Sequence, residues 1–187
     1  MTNVLTNYKK IAKGSNIVNI SNGTTKCGRC GLCGNHGKLK NMVLETKHVE
    51  TNSKNKFIIK QNINCKNIGV YAAQCKICKE FYVGQTSTCF SDRWRGHRYN
   101  WNTQLDQNIT NINTDNNQHK DDQALFHHFN KEHLNIILQK RLKIWDAYQV
   151  IFLEKTTKHR LDSAESFWID KLKATINIQR TFLPNYK

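Results

Sequence analysis

Acidic residues are scarce. The 187 residues carry 14 Asp and Glu against 29 Lys and Arg, giving a net charge of +15 and a pI near 9.6. Such a surplus favours a polyanionic partner, because phosphates neutralised by Lys and Arg release condensed counterions. Long hydrophobic runs are also missing. Stretches such as Val150-Ile151-Phe152-Leu153 fall far short of the roughly 18 apolar residues that a membrane span needs. The first 13 residues have no apolar signal core, and neither Met1-Thr2 nor Pro184-Asn185-Tyr186-Lys187 offers a lipidation signal. An intracellular protein without membrane attachment is expected. No repeat of about 20–50 residues is visible. What is present suffices for a core: 38% apolar residues, including four Trp and eight Phe, exclude wholesale disorder.

Seven cysteines are an odd count for a disulfide framework, and without a secretory signal they read as metal ligands. Cys27, Cys30 and Cys33 form overlapping Cys-x-x-Cys pairs, each cysteine followed by a glycine that permits a tight turn about an ion. With Cys65 they offer four thiolates, enough to close a tetrahedral zinc site; His36 and His48 are spare ligands. Cys75 and Cys78 form a second set with His128 and His133, and His127 could replace His128. Cys89 is left over as a small buried hydrophobe. Closed four-ligand sites hold no open position for substrate, so two structural Zn²⁺ ions are expected.

The chain divides into a flexible basic linker (1–26), a Cys-rich zinc-binding segment (27–65) and a main domain (66–187). In the main domain, residues 69–74 and 81–85 read as the strands of a hairpin with Cys75-Lys76-Ile77-Cys78 at its turn. A helix is predicted from Ser87 or Thr88 to Trp101, with Phe90, Trp94 and Trp101 apolar and Arg93 and His97 on one face. Residues 102–122, polar and Asn-rich, are predicted to be a mobile loop. A helix over 123–133, a strand within 136–146 and a helix over 162–173 follow. The last opens on a capping box in which Asp162 is the N-cap and Glu165 its partner.

Gly69-Val70-Tyr71, ten intervening residues, then Tyr82-Val83-Gly84 resembles the signature of the GIY-YIG endonuclease superfamily. Arg93 lies eleven residues after Tyr82, His97 follows one helical turn later, and Asn177 comes twelve residues after Glu165, in the order of that family's pattern. The resemblance covers residues 65 to the end. The Cys-x-x-Cys pair between the two elements, the downstream histidines and the upstream knuckle are similar to the endonuclease domain of Penelope-like retroelements; the long Asn-rich segment at 102–122 departs from the pattern. The resemblance implies an α+β fold: a small, mainly antiparallel three-stranded sheet flanked by helices, preceded by the Cys-rich zinc knuckle. It also implies a C-terminal portion of a polyprotein that carries a reverse transcriptase, acting in the nucleus on DNA with element RNA as a further partner.

Such an enzyme nicks DNA to leave a 3′ hydroxyl that primes reverse transcription. Phosphodiester hydrolysis needs an aligned water, a proton acceptor, positive charge on the transition state and help for the leaving oxygen. Tyr71 and His97 are alternative bases, Arg93 offers a fork of donors to the nonbridging oxygens, and Tyr82 contacts phosphate or Tyr71. Glu165 is the lone acid for Mg²⁺ or Mn²⁺, which takes its other ligands from water and phosphate, and Asn177 holds Glu165 or the backbone of the site. DNA is expected to be met by Arg29, Lys38, Lys40, Gln85, Arg95 and Arg98, with phosphate contact alone as the alternative role for the knuckle's cations. Two other readings stay open: a non-catalytic zinc-dependent nucleic-acid-binding protein, and a repair or homing nuclease on the same fold.

Overall fold

The structure, a computed structural model, describes residues 22–33, 42–110, 120–140 and 142–180. Four short strands come first: β1 (Gly23–Thr24), β2 (His48–Glu50), β3 (Lys56–Ile58) and β4 (Asn62–Ile63). β1 pairs in parallel with β4, and β2 pairs antiparallel with β3. The motif hairpin follows as β5 (Gly69–Cys75) and β6 (Phe81–Thr86), closed by a turn in which Lys79 adopts φ 68°. After the helices α1 (Phe90–Thr110), α2 (Lys120–Glu132), α3 (Leu134–Lys140) and α4 (Ile144–Ala147) comes β7 (Tyr148–Lys155), then α5 (Leu161–Leu172). Short 3₁₀ turns at Lys158–Arg160 and Thr175–Arg180 flank α5.

β5 runs down the middle of a fully antiparallel sheet of order β6-β5-β7. Both its neighbours are apolar, which suits a strand buried on both faces. Tyr71 sits opposite Gly84 on one side and Phe152 on the other, just past a register shift at Val70/Tyr71. Two glycines make this packing possible. Gly69 has φ +147°, and a Cβ there would lie 1.9 Å from the Glu154 carbonyl oxygen. At Gly84 a Cβ would lie 2.7 Å from the Tyr71 hydroxyl and 2.8 Å from Tyr82 Cε1. The spacing of the motif therefore has a steric cause: its glycines clear room for β7 and for the two tyrosine rings.

α1 lays Phe90, Trp94 and Trp101 on the sheet, all fully buried, with the Phe90 ring stacked on Phe152 at 4.4 Å. The outer edge of β7 is covered rather than left open. Leu44 N–H donates to the Val150 carbonyl, Val150 N–H donates to the Met42 carbonyl, and the Thr24 hydroxyl both donates to Phe152 O and accepts from Phe152 N–H. An exposed edge of this apolar strand would pair with other chains, and residues 24 and 42–44 prevent it. Most of the expected linker (1–21) lies outside the described residues, but its last part does not behave as one, since Gly23–Thr24 is a strand of the folded body. Leu32, Val43, Val49 and Ile63 share one buried cluster with Tyr71 and Trp94, so the Cys-rich segment packs on the main domain.

Four expectations need correction. α1 runs on to Thr110, nine residues past Trp101, and α2 begins at Lys120, so only 111–119 of the expected loop lies outside the described residues. Once nucleated by its buried stripe, a helix propagates at one backbone bond per residue even where the sequence is polar. Among the described residues no strand lies within 136–146; α3 and α4 take up most of that region, and the strand starts at Tyr148. Short apolar runs such as Ile136-Ile137-Leu138 do not distinguish buried helix from strand. The capping box at α5 does not form. Arg160 is the N-cap, without a side-chain cap bond, and the Asp162 and Glu165 carboxylates accept from Gln85 instead. Cys89 is half-buried, not a core residue; its carbonyl accepts from the Asp92 and Arg93 N–H groups and its thiol meets Ser91 and Asp92.

Candidate active site and metal-ligand clusters

β6 gathers the motif residues in four successive positions. Tyr82 is 2% exposed, its ring 6.3 Å from that of the fully buried Tyr71. Val83, on the outer edge of the sheet, is held by Asn177: its N–H donates to Asn177 Oδ1 at 2.7 Å and its carbonyl accepts from Nδ2 at 2.7 Å. One amide thus replaces a missing neighbouring strand. Gly84 leaves the space into which the Tyr71 hydroxyl projects. Gln85 Nε2 donates to Glu165 Oε2 at 3.0 Å and to Asp162 Oδ1 at 2.6 Å.

The Tyr71 hydroxyl lies 2.8 Å from His97 Nε2. His97 is completely buried between Trp94 and Trp101, whose rings lie 5.0 and 5.7 Å away. Burial, reinforced by the charge of Arg93, lowers its pKa to about 3. The imidazole is therefore neutral at physiological pH. Tyr71, Tyr82 and His97 form one group, and the half-buried Arg93 of α1 lies near enough for its charge to act on His97. Glu165, 6% exposed, is tied to the same strand through Gln85. A buried carboxylate suits a hard cation that takes few protein ligands.

The cysteines fall into two clusters that could hold zinc. Cys27, Cys30, Cys33 and Cys65 form one; Cys75, Cys78, His128 and His133 form the other, the ligand atoms within each lying inside 4.8 Å of one another. In the second, the Cys75–His133 and Cys78–His128 separations are both 3.4 Å, and the two Nε2 atoms are 3.2 Å apart. Zinc bond lengths give tetrahedral edges of about 3.6 Å between S and N and about 3.3 Å between nitrogens, so this cluster is already near the geometry of a filled site. The first is tighter, with Cys30 and Cys65 sulfurs 3.2 Å apart. A hydrogen bond with Cys65 lowers Cys33 to about 6 and pushes Cys65 itself up. Low-pKa thiols favour metal binding, since the thiolate is the ligand. Burial lowers the pKa of His128, with His133 adding to the effect and Glu80 and Glu132 opposing it, which keeps the ring in its ligating neutral form. Tyr148 anchors α2 by donating to the Leu125 carbonyl at 2.7 Å, which sets the helix that carries His128.

Several sequence alternatives are thereby resolved. His128 joins the second cluster, while His127 is exposed and does not. His48 is exposed in β2, apart from the first cluster. Arg29 is exposed on the knuckle and Arg95 pairs with Asp92 at 3.0 Å, while Arg98 is half-buried. Gln85, expected to meet DNA, spends its amide on Asp162 and Glu165. Lys38, Lys40 and His36 lie outside the described residues. Asp162, read from the sequence as an N-cap paired with Glu165, instead shares the Gln85 amide with it, a role the sequence reading did not give it. A signal did exist: on a helix, residues three apart share a face.

No family model, no curated protein and no solved structure matches the chain. The fold and its side-chain clusters define a small α+β domain with helices on an antiparallel sheet and two four-ligand Cys/His groups compatible with zinc.

Proposed function

We propose that this chain is a metal-dependent DNA endonuclease of GIY-YIG type, nicking DNA to leave a 3′ hydroxyl that a reverse transcriptase extends, as in a Penelope-like retroelement. The observation that carries the reading is the convergence on β6: Tyr82 beside Tyr71, Tyr71 on His97, Asn177 on Val83 and Glu165 on Gln85. Packing alone does not require this arrangement, which gathers five buried polar side chains about one hairpin.

The residues then take distinct roles. His97, its pKa lowered to about 3, is too weak a base to take the proton of the attacking water and instead orients the Tyr71 hydroxyl. That task falls to Tyr71, with Arg93 supplying positive charge to the phosphate and making the phenolate less costly. Asn177 fixes the strand on which Tyr82 stands. Glu165 would hold Mg²⁺ or Mn²⁺, which stabilises charge on the leaving 3′ oxygen. The two zinc clusters brace the scaffold, and the partners are DNA, the linked reverse transcriptase and element RNA in the nucleus.

Complete burial of Tyr71 and His97 favours a second reading, a non-catalytic zinc-dependent nucleic-acid-binding protein. Incubation of zinc-loaded protein with supercoiled plasmid and Mg²⁺ or Mn²⁺ separates the two. The endonuclease converts the plasmid to the nicked form with extendable 3′ ends, and Arg93→Ala and Glu165→Gln each abolish the conversion while still melting cooperatively. Absence of nicking by the wild type, or full activity in both variants, overturns the assignment.

A further inference from the structure

The central sheet has two chemically different ends. One carries Cys75, Phe81 and Tyr148 beside the Cys75/Cys78/His128/His133 cluster; the other brings Thr86, Gly69 and Lys155 into register. From that second end the chain passes through residues 155–160 to α5. Those six residues include Lys155, Lys158, His159 and Arg160, all exposed, and no acid. The neighbouring carboxylates are turned onto the protein's own donors: Glu154 Oε2 accepts from Trp168 Nε1 at 3.0 Å, and Asp162 and Glu165 accept from Gln85. Lys155, Lys158 and Arg160 form no ion pair among the described residues.

The backbone under these cations is fixed. Gln61 grips Lys155 from both sides, accepting from its N–H at 2.8 Å and donating to its carbonyl at 3.3 Å. Thr156 N–H donates to Ile68 O, Arg160 N–H to Thr157 O, and the Ser163 hydroxyl to Arg160 O. Lys60, also exposed, immediately precedes Gln61 and adds a fourth cation near this anchored segment. An anchored backbone with charged tips in water loses little freedom on binding. With Glu165 buried and the cations on the rim, the charges are separated as a phosphodiester with an associated divalent ion requires.

We infer that residues 155–160, with Lys60, form the track that holds the phosphate backbone of duplex DNA across the Gln85–Glu165 end of the sheet; DNA as the polyanion rests on the function proposed above. The track positions the duplex and reads no bases.

The test is fluorescence anisotropy of a labelled duplex with the full zinc-loaded chain, without Mg²⁺ and without chelator, over a range of NaCl concentrations. Each phosphate contact contributes about 0.9 to the slope of log K against log salt. Lys155→Gln/Lys158→Gln/Arg160→Gln is expected to lower that slope by about 2 to 3. Lys54→Gln/Lys79→Gln/Lys173→Gln removes the same charge at the opposite end of the sheet and should change it by less than about 1. Equal slopes in the two triple variants, or no duplex binding by the wild type, would overturn the track. A wild type that binds with the predicted difference but never nicks plasmid removes catalysis and leaves the track standing. All six substituted side chains are exposed, and matching melting temperatures will verify the fold.

Discussion

Gly84→Ala tests the packing of the two tyrosines directly. The new methyl carbon would sit 2.7 Å from the Tyr71 hydroxyl, 2.8 Å from its Cζ and 2.8 Å from Tyr82 Cε1, each below any ordinary carbon contact. Tyr71 has nowhere to go, being hemmed in by Phe90 at 6.1 Å and Trp94 at 5.5 Å between ring centres. Overpacking of this kind costs about 1–3 kcal/mol. Displacing the hydroxyl from His97 adds about 1 kcal/mol for the lost hydrogen bond. A total of roughly 2–4 kcal/mol corresponds to a fall in Tm of about 5–12 °C for a chain of this size. Urea titration and calorimetry of the zinc-loaded protein measure it. Tyr71→Phe alone should cost about 1 kcal/mol. In that background Gly84→Ala remains costly, because the ring carbon at 2.8 Å is still present. Wild-type stability in Gly84→Ala, within about 0.5 kcal/mol, would refute the reasoning. Gly69→Ala is the harsher change, since its Cβ meets the backbone of Glu154 at 1.9 Å and its φ is +147°; that chain is not expected to accumulate folded.

Elemental analysis should find two zinc ions per chain, and Cys75→Ser/Cys78→Ser should lose one of them together with the order of the β5–β6 turn; an unchanged metal count would exclude that cluster as a site. His97 makes stability depend on pH. Its folded pKa of about 3 lies below the model-peptide value of 6.5, so the unfolded chain binds more protons between these values. Its contribution is complete above about pH 6.5 and is lost as pH falls toward about 3, on the order of 5 kcal/mol at most; His97→Gln should flatten that part of a urea-midpoint profile, and an unchanged profile would contradict it. Asn177→Ala leaves the Val83 N–H and carbonyl without their partner and should cost about 2–4 kcal/mol, read as a drop in urea midpoint, whereas a loss below about 0.5 kcal/mol would mean that water replaces the amide.

Local patterns were legible in the sequence because local geometry produces them. Alternating apolar residues between glycines made the β5–β6 hairpin readable, and Cys-x-x-Cys spacing marked its turn. Phe90, Trp94 and Trp101 announced the buried side of α1. The ligand groups of both metal clusters were visible in the same way, since donors fixed at short spacing have few other uses together. Where several helices and strands share one apolar composition, as over 134–155, periodicity failed, and α3 and α4 stood where a strand was expected.

The sequence by itself determined the charge, the two sets of metal donors and the order of the motif residues, all of which are properties of spacing along the chain. Only the tertiary structure decided what those residues touch: that Gln85 faces two carboxylates, that His128 rather than His127 completes its cluster, and that residues 24 and 42–44 seal the edge of β7. Such choices depend on contacts between residues 50 to 128 positions apart. The shape of a shared interior fixes those contacts, and no window of sequence records it.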